Sequence, residues 1–203
     1  MKLYYATGAC SLSPHIVLLE SGLPFEFERV NLASKKTSSG ADYFAVNPKG
    51  YVPALVLDNG DTLTEGPAIV QYLADQVPEK QLAPAAGTME RYHLIEWLNF
   101  ISTEVHKTFS PLFKPQVPEE TKQAARDTLA ARLDIVEKQL QGKTYLTGNQ
   151  FSVADAYLFT VLGWTQPLKF DLGRWPAVQA YMQRVGERPA VQAAMAAEGL
   201  NRK

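Results

Sequence analysis

The pattern of apolar and polar positions divides this chain in two. Up to about residue 77, apolar runs of strand length alternate with helical stretches, and beyond residue 88 the spacing is helical throughout. Lys2-Leu3-Tyr4-Tyr5 is a short strand, followed by a loop through Thr7, Gly8 and Ala9. A helix comes next, with Ser13 as a candidate N-cap and Pro14 as its first residue, carried on by Ile16, Leu19 and Glu20 and ended by Gly22 ahead of Pro24. Phe25 to Val30, apolar side chains set between charges, is a second strand. Strand, helix, strand predicts a parallel pair with a right-handed crossover. Asp42 to Val46 has the composition of an irregular helical turn.

The stretch from Asn47 to Pro67 is dense in local signals. Asn47-Pro48 and Lys49-Gly50 are turn pairs, and Pro53 opens the apolar run Ala54-Leu55-Val56-Leu57. Proline donates no hydrogen bond, so it suits the start of a strand and not its middle. Asn59-Gly60 between that run and Thr62-Leu63-Thr64 predicts a two-residue hairpin turn. Glu65-Gly66-Pro67 then opens a helix with an apolar face at Ile69, Tyr72, Leu73 and Val77. The element order β-α-β-α-β-β-α, with a cysteine at the first helix start and a proline before the third strand, is a thioredoxin-like α/β arrangement over residues 1–77.

Residues 78–87 carry turn residues without periodicity and are expected to link this half to an all-helical domain at 88–203. There a helix from Thr88 to Ser110 is predicted, with Leu94, Leu98, Ile101 and Val105 as its stripe and Pro111 as its stop. A second helix begins at Glu119 and Glu120, which complement its dipole, and presents Leu129, Leu133, Val136 and Leu140 before Gly142. Ser152-Val153-Ala154-Asp155 is a capping-box pattern ahead of a helix that is apolar nearly all round to Trp164, so it belongs at the domain's centre. Two shorter helices open near Pro176 and Pro189.

Composition narrows the function classes. The 203 residues are 46% hydrophobic and 20% charged, with a net charge of −1, which fits a globular protein and gives no footprint for nucleic acid. No apolar run approaches the roughly 20 residues of a membrane span. A single cysteine excludes an internal disulfide, three scattered histidines argue against a metal site, and a cytoplasmic location is expected.

The chemistry concentrates at two helix starts. Free N–H groups and the positive dipole end at Gly66 suit a ligand carboxylate, and Glu65 beside them suits an ammonium; a ligand with both on one carbon, an α-amino acid end, would satisfy the pair together. If Val52-Pro53 is cis, the Val52 backbone can pair with an extended peptide. Cys10 stands at the other helix start, followed by Ser11 and Ser13, where a thiolate has plausible stabilisation. Because position 13 is serine, the sequence is not Cys-x-x-Cys, and a mixed disulfide at Cys10 would need resolving from outside. Asn99, Thr103 and His106 recur at four- and three-residue steps, which predicts a shared helix face.

Taken end to end, the chain resembles the bacterial beta-class glutathione S-transferases. The resemblance rests on Gly8-Ala9-Cys10-Ser11-Leu12-Ser13-Pro14-His15, Asn47-Pro48-Lys49-Gly50, Val52-Pro53, Leu63-Thr64-Glu65-Gly66, Glu96-Trp97-Leu98-Asn99, Ser152 to Phe159, and Ala197-Glu198-Gly199-Leu200. It implies a thioredoxin-like domain, an all-α domain, a homodimer, a cis bond before Pro53, glutathione as co-substrate and a small hydrophobic electrophile as its partner. It also implies site residues: Val52 at the cysteinyl unit, Glu65 and Gly66 at the γ-glutamyl end, Lys35 at the glycine carboxylate and Cys10 at the thiol. Asn99, Thr103, Glu104, His106 and Lys107 are assigned to glutathione as well, with Glu104 reaching across from a partner subunit. Gly66 departs from the wider superfamily, where serine is commoner. Phe109, Phe113, Tyr157 and Trp164 are candidates for the wall of the second-substrate pocket.

The implied reaction sets an energetic demand. Moving a thiol from about 8.5 to about 6.5 takes roughly 2.7 kcal/mol. A helix dipole supplies about 0.3–1 kcal/mol at exposed sites and about 2 at best. At least one directed hydrogen bond, about 1.5–3 kcal/mol to a charged acceptor, is therefore expected as well. Tyr5, Ser11, the Cys10 backbone N–H and His106 are the candidate donors. Conjugation to an electrophile is the leading expectation; thiol transfer or reductive dehalogenation through Cys10, and a non-enzymatic binding protein, are the alternatives.

Overall fold

The computed structural model describes residues 1–200. By internal contact the chain forms two compact units, Met1–Ala83 together with the chain from Glu187 onward, and Pro84–Gly186.

In the first unit, β1 (Lys2–Tyr5), β2 (Glu26–Asn31), β3 (Lys36–Thr37), β4 (Ala54–Val56) and β5 (Thr62–Thr64) make one sheet in the order β3-β2-β1-β4-β5. β1 and β2 run parallel, joined over α1 (Leu12–Ser21), and every other neighbouring pair is antiparallel. Period-two alternation puts Leu3 opposite Leu55, and Leu55 opposite Leu63. The hairpin turns at Asn59-Gly60, where Gly60 has φ +90° and its N–H reaches the Leu57 carbonyl at 3.0 Å. It delivers the chain to α2 (Gly66–Asp75). Leu3, Ile16, Leu18, Leu55, Ile69 and Leu73 are fully buried between helices and sheet.

Two local expectations change. β3 is two residues with no apolar run, so no periodicity marks it; it pairs with β2 at Val30 and Asn31. α1 begins at Leu12, not after a Ser13 cap, because the chain already coils through the preceding loop: the Leu12 and Ser13 N–H groups bond to the Ala9 and Cys10 carbonyls at 3.0 and 3.2 Å. Ser13 is thus inside the helix and fully buried, and its hydroxyl has no hydrogen-bond partner among the described residues. Pro14 is the third helical residue, where an N–H would still lack an intrahelical acceptor.

The last helix, α8 (Pro189–Ala197), groups with this first unit by contact, whereas the sequence division places 88–203 together. It lies against α1, burying Val191 and Ala194. Two polar contacts tie it there. Arg188 meets Glu20 in a two-pronged contact at 2.7 and 2.9 Å, and His15 Nδ1 lies 3.0 Å from Glu198 with both side chains buried.

In the second unit, α3 (Met89–Phe100) is capped by Thr88, whose hydroxyl accepts the Arg91 N–H at 3.2 Å. The single helix expected from Thr88 to Ser110 is interrupted: a π turn spans Ile101–His106, followed by α4 (Lys107–Phe109) and a 3₁₀ turn at Ser110–Phe113. Ile101, Val105 and Phe109, all fully buried, follow one another at steps of four, a spacing that the wider turn accommodates. α5 (Glu119–Leu140) buries Leu129, Leu133, Val136 and Leu140. α6 (Val153–Leu162) is buried at every position, and α7 (Pro176–Gly186) packs beside it. The capping box forms as expected, with the Ser152 N–H and hydroxyl each donating to Asp155 Oδ2 at 2.8 Å. Asp155 Oδ1 also accepts from the Leu146 N–H at 2.8 Å and the Tyr181 hydroxyl at 3.1 Å. Trp164 falls beyond the helix, in a 3₁₀ turn at Gly163–Thr165.

Candidate functional site

In the first unit, the loop between β1 and α1 is stapled by Ser11, whose buried hydroxyl accepts the Ala6 N–H at 3.1 Å and donates to the Ala6 carbonyl at 3.2 Å. Gly8 adopts φ +69°, and its N–H donates to Glu198 Oε2 at 3.0 Å. This loop sets Cys10 so that its thiol donates to the Val52 carbonyl at 3.3 Å. Burial pushes the Cys10 pKa up to about 11; the nearby Glu65 carboxylate adds to the rise, while the Cys10 and Ser11 N–H groups oppose it. Desolvation thus outweighs the N–H groups and favours the protonated thiol at neutral pH.

Two of the candidate donors have contacts of their own. The Ser11 hydroxyl proton is committed to the Ala6 carbonyl. Strand alternation turns Tyr5 to the side of the sheet where its ring meets Phe27 at 5.2 Å and His15 at 6.2 Å. Burial raises the Tyr5 pKa.

The loop before β4 is held from behind. The Tyr51 carbonyl accepts from Asn47 Nδ2 at 2.7 Å and from the Tyr43 hydroxyl at 2.8 Å, and the Gly50 N–H reaches the Asn47 carbonyl at 2.8 Å. Gly50 has φ +68°, and a Cβ there would sit 2.7 Å from the Phe44 ring, so glycine is required. The loop ends in a cis bond between Val52 and Pro53. Lys35, itself at φ +55°, donates to the Gly50 carbonyl at 2.7 Å and lies over the Tyr51 ring.

Pro53 abuts the start of α2, where its Cγ lies 4.0 Å from where a Gly66 Cβ would be. Glu65, at φ +68°, turns the chain from β5 into the helix, and its carbonyl accepts the Ala68 and Ile69 N–H groups, both at 3.0 Å. Its exposed carboxylate is not alone: Lys49 Nζ lies 2.6 Å from Oε1 and 3.1 Å from Thr64 Oγ1. The first unit thus brings together Cys10, Lys35, Val52, Pro53, Glu65 and Gly66 around one pair of loops and one helix start.

The second unit gathers a different set. His106 Nδ1 is 2.7 Å from the Tyr157 hydroxyl, and its ring meets Trp164 edge-on at 4.8 Å. Burial, helped by Lys107, pulls the His106 pKa down to about 4, so the imidazole is neutral at neutral pH. Phe109 and Phe113 also meet Trp164 edge-on, at 5.6 and 5.5 Å. Phe109 and Tyr157 are buried, which makes them backing rather than a free wall, while Phe113 is 48% exposed.

Of Asn99, Thr103 and His106, expected on one face, Thr103 is exposed and its hydroxyl donates to the Asn99 carbonyl at 3.0 Å, while His106 lies among rings beside the Tyr157 hydroxyl. Glu104 pairs with Arg132 at 2.7 Å in the same chain, so one carboxylate oxygen is already engaged within its own unit. Lys107 is exposed.

Sequence reasoning missed Lys49, which reads as turn chemistry, because its pairing with Glu65 crosses sixteen positions with no local signal. It also missed Glu198, whose link to Gly8 spans 190 positions. Only the closing motif Ala197 to Leu200 pointed to that end of the chain.

Family models for the glutathione S-transferase N-terminal domain and C-terminal domain match residues 7–76 and 100–189. Glutathione S-transferase GstA of Escherichia coli O157:H7 is 52% identical over 98% of this chain and 100% of its own length. A sphingomonad glutathione S-transferase complexed with glutathione superposes with a TM-score of 0.95 at 50% identity, covering 98% of this chain and 100% of the other. The bacterial beta-class glutathione S-transferase of Sphingomonas chungbukensis matches with a TM-score of 0.95 at 49% identity and the same coverage.

Proposed function

The chain belongs to the glutathione S-transferase family, and from that premise we propose that it joins the sulfur of glutathione to small hydrophobic electrophiles, with the tripeptide held by the first unit. The observation that carries the reading is the cradle: the cis-proline loop presents Val52 beside Cys10, and Pro53 abuts the helix start that carries Glu65 and Gly66. Val52 pairs with the cysteinyl unit, the Gly66 N–H and Glu65 take the carboxylate and ammonium of the γ-glutamyl end, and Lys35 takes the glycine carboxylate. Each of these is a group of the required sign on a backbone fixed by its own hydrogen bonds.

In the reaction, the glutathione thiol loses its proton, a new sulfur–carbon bond forms at the electrophilic carbon, and the leaving group departs with the electron pair of the bond it breaks. His106, neutral at neutral pH, fits the role of a hydrogen-bonding group or base, not of a cation paired with the thiolate. Its ring cluster with Trp164 and the exposed Phe113 is assigned to the electrophile. Asn99, Thr103, Glu104 and Lys107 are assigned to glutathione on the family resemblance alone.

Thiol transfer through Cys10 is the weaker reading. A thiol with a pKa of about 11 is ionised in only about one molecule in ten thousand at pH 7, and the thiolate is the nucleophile. A homodimer is part of the proposal. Phe44 and Tyr51 in the first unit, and Met89 and Tyr92 in the second, are large apolar side chains left exposed. The cytoplasm, where a lone thiol stays reduced, is the proposed location.

Calorimetric titration with glutathione, followed by product analysis with an aryl halide, tests the activity: saturable binding and a glutathione thioether are expected, and the absence of both would overturn it. Sedimentation tests the assembly. A species of twice 22.5 kDa is expected, and one near 22.5 kDa alone would refute the dimer.

A further inference from the structure

Lys49 is the residue around the cradle whose chemistry the proposed binding scheme leaves unused. Its ammonium sits 2.6 Å from Glu65 Oε1 and 3.1 Å from Thr64 Oγ1, directly beside the start of α2. Both partners of this ion pair are about half exposed or more, at 51% and 69%, and an exposed pair of this kind contributes little to stability. An ammonium carries three N–H donors. Two are engaged by Glu65 and Thr64, which fix the nitrogen in place and leave a third to point outward. Glu65 likewise spends one oxygen on Lys49, and its Oε2 has no hydrogen bond among the described residues.

Resting on the glutathione reading above, we propose that Lys49 is a specificity-determining residue that completes a zwitterion site. The ammonium of the γ-glutamyl end binds Glu65 Oε2, and its α-carboxylate is shared between the Gly66 N–H and the third donor of Lys49. The pair is not displaced by the ligand; the ligand's own two charges extend it into an alternating row of four. Glutathione is thereby told apart from thiols that lack a free α-carboxylate at that end. Neither group does this alone: Glu65 reads only the ammonium, and a single backbone N–H is a neutral donor with weaker hold on an anion than a charged one.

The test is calorimetric titration of the wild-type protein, Lys49→Met and Lys49→Arg, each with glutathione and with the analogue whose glutamyl α-carboxylate is converted to an amide. The wild type should prefer glutathione about tenfold or more. Lys49→Met, a surface substitution that keeps the apolar stem, should weaken glutathione binding about tenfold and leave the amide nearly unchanged, so that the preference collapses; Lys49→Arg should restore most of it. A merely structural role for Lys49 would weaken both ligands equally, and that result overturns the proposal. So does tighter glutathione binding in Lys49→Met, which would make the lysine a competitor for Glu65. If the wild type binds neither compound, the glutathione reading itself falls, and this inference with it.

Discussion

The proposed glutathione cradle of the first unit and the His106 cluster of the second are built on opposite principles. In the cradle, the proposed reading surface is largely backbone: Asn47 and Tyr43 hold the Tyr51–Val52 peptide through the Tyr51 carbonyl, Ser11 staples the Cys10 loop to Ala6, and Glu65 turns the chain at positive φ into the helix that begins at Gly66. In the cluster, every functional atom is on a side chain, and its place depends on contacts across fifty or so residues and on a helix that widens by one turn at Ile101–His106. The first design fixes geometry through the chain itself. The second fixes electrostatics, since a buried imidazole among rings loses its charge.

The largest expected effect lies in the cluster and is seen in acid. His106 titrates near 4 in the folded protein and near 6.5 when unfolded, so between those values the unfolded chain binds more protons. The stability that comes from keeping His106 neutral is complete above about pH 6.5 and is lost as pH falls toward 4: about 2 kcal/mol by pH 5 and about 3 by pH 4. Urea denaturation from pH 7.5 to 5 should show this loss in the wild type and not in His106→Asn. Parallel curves would place His106 in water and end the contrast.

Glu65→Ala sharpens the other side. Leaving the γ-glutamyl ammonium without its carboxylate should cost about 1.5–3 kcal/mol, a ten- to hundredfold rise in the glutathione Kd. Asn47→Ala touches no ligand, yet it removes one of two donors to the Tyr51 carbonyl. It should weaken glutathione binding by up to about fivefold, about 1 kcal/mol, if the cradle is a backbone device. An unchanged Kd would mean that Val52 keeps its place without this support.

How much of this could be read from the sequence follows the same divide. The hairpin at Asn59-Gly60, the Pro53 strand start, the Gly22 stop and the capping box at Ser152 and Asp155 are written in residues a few positions apart, and the structure has them where expected. The π turn could not be read, because Ile101, Val105 and Phe109 fit an ordinary helical stripe as well. Lys49 and Glu198 could not be read either, since a charge carries no mark of which distant partner it meets. For Cys10 the position at a helix start is local and visible, whereas the contact of its thiol with the Val52 carbonyl, forty-two positions away, is not.

The smallest effect should come from Gly66→Ser. Gly66 does not use a positive φ, and an added Cβ would meet only Pro53 Cγ at an ordinary 4.0 Å. The backbone donor stays and a hydroxyl joins it, so glutathione should bind a few-fold tighter, in line with about 0.5–1.5 kcal/mol for one added hydrogen bond. Weaker binding in fluorescence titration would show that the helix start has no room for the ligand to use it.

On the proposed mechanism the reacting sulfur belongs to glutathione, and Cys10, half-buried and favoured as the protonated thiol, is not the nucleophile. A serine oxygen cannot form a mixed disulfide, so Cys10→Ser separates the two chemistries. The decisive measurement is the rate of aryl-halide conjugation and of glutathione-dependent disulfide reduction in wild type and Cys10→Ser, with intact-mass spectrometry of the wild type for a glutathione adduct. Conjugation within about tenfold of wild type, about 1.4 kcal/mol, together with loss of any disulfide reductase activity, is the predicted result. Equal loss of both activities in Cys10→Ser would contradict it, because one protein sulfur would then serve both reactions.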